Sequence, residues 1–60
     1  MKYKVGQKVK YFADDTEEWF DGVVKTISLN YVEPRLTQYQ VCFIGGKFWL
    51  YECDLLEWVQ

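Results

Sequence analysis

The chain contains no histidine, one proline and only two cysteines among its 60 residues. Without histidine it lacks the usual general base near neutral pH and the commonest metal ligand. Cys42 and Cys53 are too few for the disulfide framework of a small secreted domain, and a zinc site within one chain would need carboxylate ligands. We expect two reduced thiols, no metal and no cofactor. A Cys42–Cys53 bridge is the alternative, because spacing alone does not test disulfide geometry.

Long apolar runs and catalytic motifs are also missing. No stretch approaches the roughly 20 apolar residues of a membrane span, and residues 1–10 carry four lysines instead of the apolar run of a secretory signal. No phosphate-binding loop, dinucleotide fingerprint or nucleophile elbow occurs. The carboxylates of 14–18 fit a solvated loop, and Asp54 fits the cap of a short turn. We therefore expect a cytoplasmic protein that is not an enzyme and has no membrane partner.

The length and charge of the chain further restrict its number of domains and its kind of partner. Sixty residues make one domain, 1–60, which buries only about 60% of the surface that its unfolded chain exposes. The net charge is −2. Lysines at 2, 4, 8 and 10 precede an acidic run of Asp14, Asp15, Glu17, Glu18 and Asp21. Most such charges form a solvated face, and the acidic run would repel a polyanion, so we do not expect nucleic acid as the main partner.

Valine, isoleucine, threonine and aromatic residues dominate between closely spaced turn signals, which favours strands over helices. The alternation predicts five strands at about 7–13, 19–29, 38–44, 47–51 and 55–59. Gly22 inside the second strand suggests a bulge or sharp bend, and Gly45-Gly46 suggests a hairpin turn. Residues 52–54 suggest one 3₁₀ turn. This pattern predicts an all-β, five-stranded SH3-like (Tudor-like) barrel.

Aromatic residues make up a fifth of the chain, more than one small core needs. The stretch Phe48-Trp49-Leu50-Tyr51 is apolar on both faces of a strand. The expected core is Val9, Tyr11, Val23, Val41, Phe43, Leu50 and Leu55. The sequence does not decide which of Phe48 and Trp49 is buried. The remaining rings would form an aromatic patch of Phe12, Trp19, Phe20, Trp49, Tyr51 and Trp58. An exposed patch of this kind is typical of interaction sites.

Four segments, VGQKVKYF (5–12), WFDGVVKTI (19–27), YQVCFIGGK (39–47) and LYECDLLEW (50–58), resemble the Tudor and SH3-like barrel superfamily. Tudor domains hold methylated lysine or arginine in an aromatic cage. The cage positions fall at Phe12 or Ala13, at Trp19 or Phe20, at Phe43, and at Gly45-Gly46. At most three walls would therefore be aromatic. The alternative is that Phe20 and Phe43 belong to the core.

The chain is also similar to the plasmid-borne type II dihydrofolate reductases, which are small SH3-like barrels that assemble as tetramers around a pore. The pore strand of that family, Val-Gln-Ile-Tyr, corresponds to Phe48-Trp49-Leu50-Tyr51. Trp49 occupies the position of the pore glutamine in that family, and Tyr11 occupies the position of the pore lysine. Because both polar groups are missing, only the architecture is implied, with this strand as an oligomer interface or ligand wall.

The aromatic patch and the charges around it lead us to expect one of two functions. The first is a non-catalytic protein-interaction module, an adaptor or inhibitor of the size of bacterial or phage accessory proteins, with its aromatic patch rimmed by Asp14, Asp15, Glu17, Glu18 and Lys47. Its partner protein would have basic character. The alternative is a homo-oligomer with a planar, nucleotide-like ligand between subunits, stacked on Trp49 and Tyr51 with Lys25, Arg35 or Lys47 near a phosphate. Binding of single-stranded nucleic acid to aromatic and lysine side chains is a third reading.

Overall fold

A computed structural model describes residues 2–58, which form one antiparallel five-stranded sheet. The strands are β1 (Lys8–Ala13), β2 (Glu18–Ser28), β3 (Gln38–Phe43), β4 (Gly46–Tyr51) and β5 (Leu55–Glu57), in the spatial order β4-β3-β2-β1-β5. Two 3₁₀ helices, Pro34–Leu36 and Glu52–Asp54, lie in the connections before β3 and β5. The all-β class and the five strands are therefore confirmed.

The predicted boundaries agree with the observed strands to within one or two residues. The 3₁₀ turn at Glu52–Asp54 is confirmed, and a carboxylate oxygen of Asp54 accepts a hydrogen bond from the Tyr51 amide at 3.2 Å, as its capping role requires. The hairpin turn lies one residue earlier than predicted, at Ile44 and Gly45. Gly46 already belongs to β4, with a φ of 136° that favours glycine. Val59, which the prediction placed in the last strand, lies outside the described residues.

The irregularity in β2 occurs after Gly22 and not at it. The register of β2 against β3 shifts between Val24 and Thr26, so Lys25 is the extra residue of a β-bulge. The glycine at position 22 is explained by side-chain packing instead. A Cβ atom there would lie 2.5 Å from Val41 Cγ1 and 2.8 Å from Phe43 Cε1, closer than real Cβ atoms approach. Gly22 therefore lets two side chains of β3 pack across the backbone of β2.

The core lies on one face of the sheet, which we call the inner face. Its fully buried members are Tyr3, Val9, Val24, Tyr39, Val41 and Leu55, with Tyr11, Ile27, Phe43 and Leu50 packed against them. Of the predicted core, Val9, Val41 and Leu55 are fully buried, and Tyr11, Phe43 and Leu50 are partly buried. Val23 was the wrong choice, because Val24 pairs with Val41 and enters the core instead. Both neighbours are valines, so alternation alone could not choose between them.

The segment 2–7 covers the inner face, which the sequence did not indicate. The Tyr3 ring is only 1% exposed and meets the Tyr39 ring edge-on at a centroid distance of 5.3 Å. The Tyr39 hydroxyl accepts hydrogen bonds from the amides of Lys2 and Tyr3, at 3.2 and 3.3 Å. Gly6 donates its amide to the Val24 carbonyl at 2.7 Å. These bonds attach the segment to β2 and β3.

The sheet is open. Among residues 2–58, β4 pairs only with β3 and β5 pairs only with β1, so these two strands are the edges. The closed barrel that the sequence predicts is therefore not confirmed. Within the same residues, no helix is long and apolar enough to cross a membrane.

Candidate functional site

An open groove of about 450 Å³ lies on the inner face, at the end of the sheet beyond the core. Residues from β1, β2, β3 and β4 meet there because paired residues of antiparallel strands share a face. Tyr11 pairs with Phe20, and Val41 pairs with Phe48. The lining consists of Tyr11, Ala13, Asp15, Phe20, Phe43, Gly45, Phe48, Trp49 and Leu50. The groove is therefore mostly aromatic.

Phe43 is the centre of this aromatic group. Its ring centroid lies 6.2 Å from that of Tyr11, 6.5 Å from Phe20 and 6.0 Å from Phe48, in tilted or edge-on arrangements. Such arrangements are the preferred geometry of aromatic pairs. Phe43 itself is held over Gly22, where any side chain would collide with it. Gly22 thus positions the central ring of the groove, a role that the sequence did not reveal.

The outer rings of the groove are accessible. Phe20 is 40% exposed and Phe48 is 53% exposed, whereas Phe43 is partly buried beneath them. Exposed phenyl rings that do not fill a core leave apolar surface in contact with water. A ligand that covered this surface would gain hydrophobic free energy.

The groove has one acidic wall. Asp15, in the turn between β1 and β2, lines it, and one carboxylate oxygen of Asp15 accepts a hydrogen bond from the Thr16 amide at 3.0 Å. Asp14 and Glu17 belong to the same exposed turn, and Glu18 begins β2. Aromatic faces and a carboxylate both attract cations. The electrostatics of the groove therefore favour a cationic group.

The predicted aromatic patch is divided. Phe20 lines the groove on the inner face, whereas Phe12 and Trp19 pair on the opposite, outer face with their centroids 5.1 Å apart. Trp58 also lies near the outer face, where its indole nitrogen donates a hydrogen bond to Asp21 at 2.9 Å. The patch required all these rings on one surface, and strand alternation separates them.

Lysines cover the outer-face tryptophans. The Lys10 ammonium lies 5.9 Å from the Trp19 ring centroid, and the Lys8 ammonium lies 5.2 Å from that of Trp58. Both distances suit cation–π attraction. These rings therefore already have cationic neighbours, whereas within residues 2–58 no lysine or arginine lies over a ring of the groove.

Trp49 and Tyr51 form a third group on β4. They pair with Gln40 and Gln38, which stand between them and the outer-face tryptophans. Lys47 shares their face by alternation and is exposed. Trp49 belongs to the edge strand and also lines the groove. Phe48 and Trp49 are both exposed, and Leu50 is the residue of this stretch that packs against the core.

The remaining candidate groups lie outside the groove. Cys42 is partly buried and Cys53 is exposed, and both are free thiols. Arg35, a candidate phosphate ligand, forms an ion pair with Glu33 at 3.2 Å. In the part of the chain that the structure describes, no group of three or more acidic or cysteine side chains could hold a metal ion. Burial raises the pKa of Tyr3, which belongs to the core.

No family, no curated protein and no solved structure matches the chain. Of the positions that the Tudor resemblance assigns to a cage, Ala13, Phe20, Phe43 and Gly45 line the groove, whereas the alternatives Phe12 and Trp19 lie on the outer face. Two of the four are not aromatic. Tyr11 and Phe48, which the resemblance did not indicate, supply the other rings.

Proposed function

We propose that the chain is a non-catalytic protein-interaction module that binds a basic segment of a partner protein in the aromatic groove. The observation that carries this proposal is the accessible cluster of Tyr11, Phe20, Phe43 and Phe48 beside the Asp15 carboxylate. A lysine or arginine side chain has an apolar stem and a cationic head, so it matches both the rings and the carboxylate.

The acidic turn supports the same kind of partner. Asp14, Asp15, Glu17 and Glu18 are all exposed and adjacent along the chain. Charges at the rim of an interface act mainly on the rate of association. We expect the turn to speed the capture of a basic segment and the rings to slow its release.

The proposal includes an SH3-like arrangement of the strands. The order β4-β3-β2-β1-β5 and the 3₁₀ helix directly before β5 support it. In this arrangement the groove lies between the β1–β2 turn and the β3–β4 turn, which contribute Asp15 and Gly45. Turns held by a rigid sheet are common places for binding residues.

The test is selection from a random peptide library displayed on phage, with the folded chain as bait. We expect the selected peptides to carry lysine or arginine beside an apolar residue. Binding of synthetic copies of these peptides is then measured by calorimetry. Phe48→Ala should weaken binding about tenfold, or about 1.4 kcal/mol, because Phe48 is a half-exposed wall of the groove. Asp15→Asn should reduce the association rate.

Tyr31→Ala is the matched control, because Tyr31 is 88% exposed and does not line the groove. It should leave peptide affinity unchanged. Selected peptides without basic residues, or peptides that bind the Phe48→Ala and Tyr31→Ala variants equally well, would show that the groove is not the binding site.

A further inference from the structure

The strand β4 is a long, unprotected edge of the sheet. Its six residues pair only with β3 within the described chain, and every second residue of an edge strand directs its amide and carbonyl away from the sheet. Edge strands are normally blunted by proline, bulges or several charges. Lys47 is the one charged residue of Gly46–Tyr51, and the strand has no proline. Its backbone is therefore ready to pair with another strand.

Both faces of this edge carry exposed apolar side chains. On the inner face Phe48 is 53% exposed, and on the other face Trp49 and Tyr51 are 46% and 42% exposed. A groove ligand on the inner face would leave Tyr51 in water, because Tyr51 does not line the groove. An added strand beside β4 extends both faces of the sheet, so its side chains would pack against one side of all three rings and leave their groove-facing surface open.

We propose that the occupant is β4 of a second copy of this chain, paired antiparallel about a two-fold axis at Trp49. In that register Trp49 stands opposite its own counterpart, and Phe48 stands opposite Leu50 of the second copy. Lys47 stands opposite Tyr51 of the second copy. Each Lys47 ammonium thus lies beside an aromatic ring of the other copy, which suits cation–π attraction.

Charge and length select this pairing over the alternatives. A parallel pair in register would place the two Lys47 side chains side by side, and like charges in that position are destabilising. Pairing of β4 with β5 of another copy could involve only the three residues Leu55–Glu57. An antiparallel β4 pair uses the same patch on both copies, so it closes as a dimer and does not propagate into a fibre.

The pairing is independent of the proposed function and compatible with it. A two-fold axis perpendicular to the sheet keeps the inner faces of both copies on the same side. The two grooves would then lie next to each other across the new strand pair. Each copy would keep Asp15 and Phe20, which are not on β4, open to a ligand.

The first test is the solution mass of the chain by light scattering across a dilution series. We expect twice the chain mass of 7.2 kDa at high concentration. Trp49→Lys places two positive charges opposite each other at the axis and should give a monomer. Trp19→Lys is the matched control, since Trp19 is 53% exposed but lies on the interior strand β2, and it should remain a dimer. A wild-type mass of 7.2 kDa at every concentration would overturn the proposal, as would a dimer that withstands Trp49→Lys.

A charge exchange tests the register. Tyr51→Lys faces Lys47 of the second copy, so the dimer should dissociate at a concentration at least tenfold higher than the wild type does. Adding Lys47→Glu restores an attractive pair and should recover the dimer. No recovery in a double variant that keeps the wild-type circular dichroism spectrum would overturn this register.

Disulfide trapping tests the axis without introducing a charge. In a Cys42→Ser/Cys53→Ser background, Trp49→Cys puts two cysteines directly opposite each other, within the Cα separation that a disulfide spans. Mild oxidation should convert this variant into a covalent dimer faster than it converts the Trp19→Cys control. Equal rates would overturn the pairing at Trp49.

Discussion

The Tyr3 hydroxyl donates a hydrogen bond to the Leu55 carbonyl at 3.0 Å, across 52 positions of the chain. Both residues are 1% exposed, so this bond lies inside the core and joins the segment 2–7 to β5. Leu55 also pairs with Tyr11 of β1. The side chain of Tyr3 therefore fixes the short edge strand from the inner face, while β1 fixes it within the sheet.

Tyr3→Phe should destabilise the fold by about 1–2 kcal/mol. The ring still fills the core, but the buried Leu55 carbonyl loses its partner, and an unsatisfied buried acceptor carries a desolvation penalty. Urea denaturation followed by circular dichroism measures the loss. Tyr31→Phe, at an 88% exposed position, is the control and should not change the midpoint. Equal midpoints for Tyr3→Phe and the wild type would mean that the bond contributes nothing.

Tyr3 should also make the fold sensitive to alkali. Burial raises the pKa of its phenol above the ordinary value of about 10. Below pH 10 the phenol is neutral in both states, so its contribution to stability is complete. Between pH 10 and the higher folded pKa, the unfolded chain loses the proton first, and the free energy of unfolding falls as pH rises. The difference in the free energy of unfolding between wild type and Tyr3→Phe isolates the contribution of this phenol. It should shrink as pH rises from 9 to 11, and a constant difference would contradict this account.

Gly22→Ala should cost about 1–3 kcal/mol, because the new Cβ would meet Val41 at 2.5 Å and Phe43 at 2.8 Å. Displacement of Phe43 should also weaken groove binding of the selected peptides. Gly45→Ala is the matched control, since a Cβ there meets nothing within 4 Å and its φ is not positive. Thermal unfolding should separate the two variants. If they unfold at the same temperature, the packing of Phe43 over Gly22 is not as described.

The adjacent valines of β2 provide a test of which face enters the core. Val24 is fully buried, so Val24→Ala should cost about 2 kcal/mol through lost burial and the cavity it leaves. Val23 points to the outer face and is partly exposed, so Val23→Ala should cost less than about 1 kcal/mol. Urea midpoints measure both. A larger loss for Val23→Ala would reverse the assignment of the faces.

Strand positions could be predicted from the sequence because alternation and turn residues are local signals. The strands, the Glu52–Asp54 helix and the role of Asp54 follow from them. The face of the sheet that each side chain occupies is harder to predict, because one extra residue in a strand reverses the alternation of all the residues after it. The bulge at Lys25 brings both Val24 and Ile27 to the core, three positions apart. No pattern in the amino-acid sequence predicts that bulge.

The candidate site was predictable only in part, for the same reason. Phe20, Trp49 and Asp15 were expected at a binding surface and do line the groove. Tyr11 was expected in the core, and Phe48 had no assigned face. Their meeting with Phe43 depends on strand register and on Gly22, which are properties of the pairing and not of any single segment. Tyr3 was missed because one tyrosine before the first strand has no periodic neighbours.

The bond between Tyr3 and Leu55 also affects the order of events during synthesis. The core cannot close until Leu55 has left the ribosome, because β5 pairs with β1 and Tyr3 needs the Leu55 carbonyl. Until then the aromatic side chains of β4 are outside the ribosome but not yet packed in a folded domain. Exposure of this kind favours aggregation, particularly in β proteins whose long-range strand pairs form slowly. We expect stalled nascent chains that expose only residues up to 52 to be digested rapidly by protease, and chains that also expose Leu55–Trp58 to be protected. Protection of the shorter nascent chain would show that the core forms without β5.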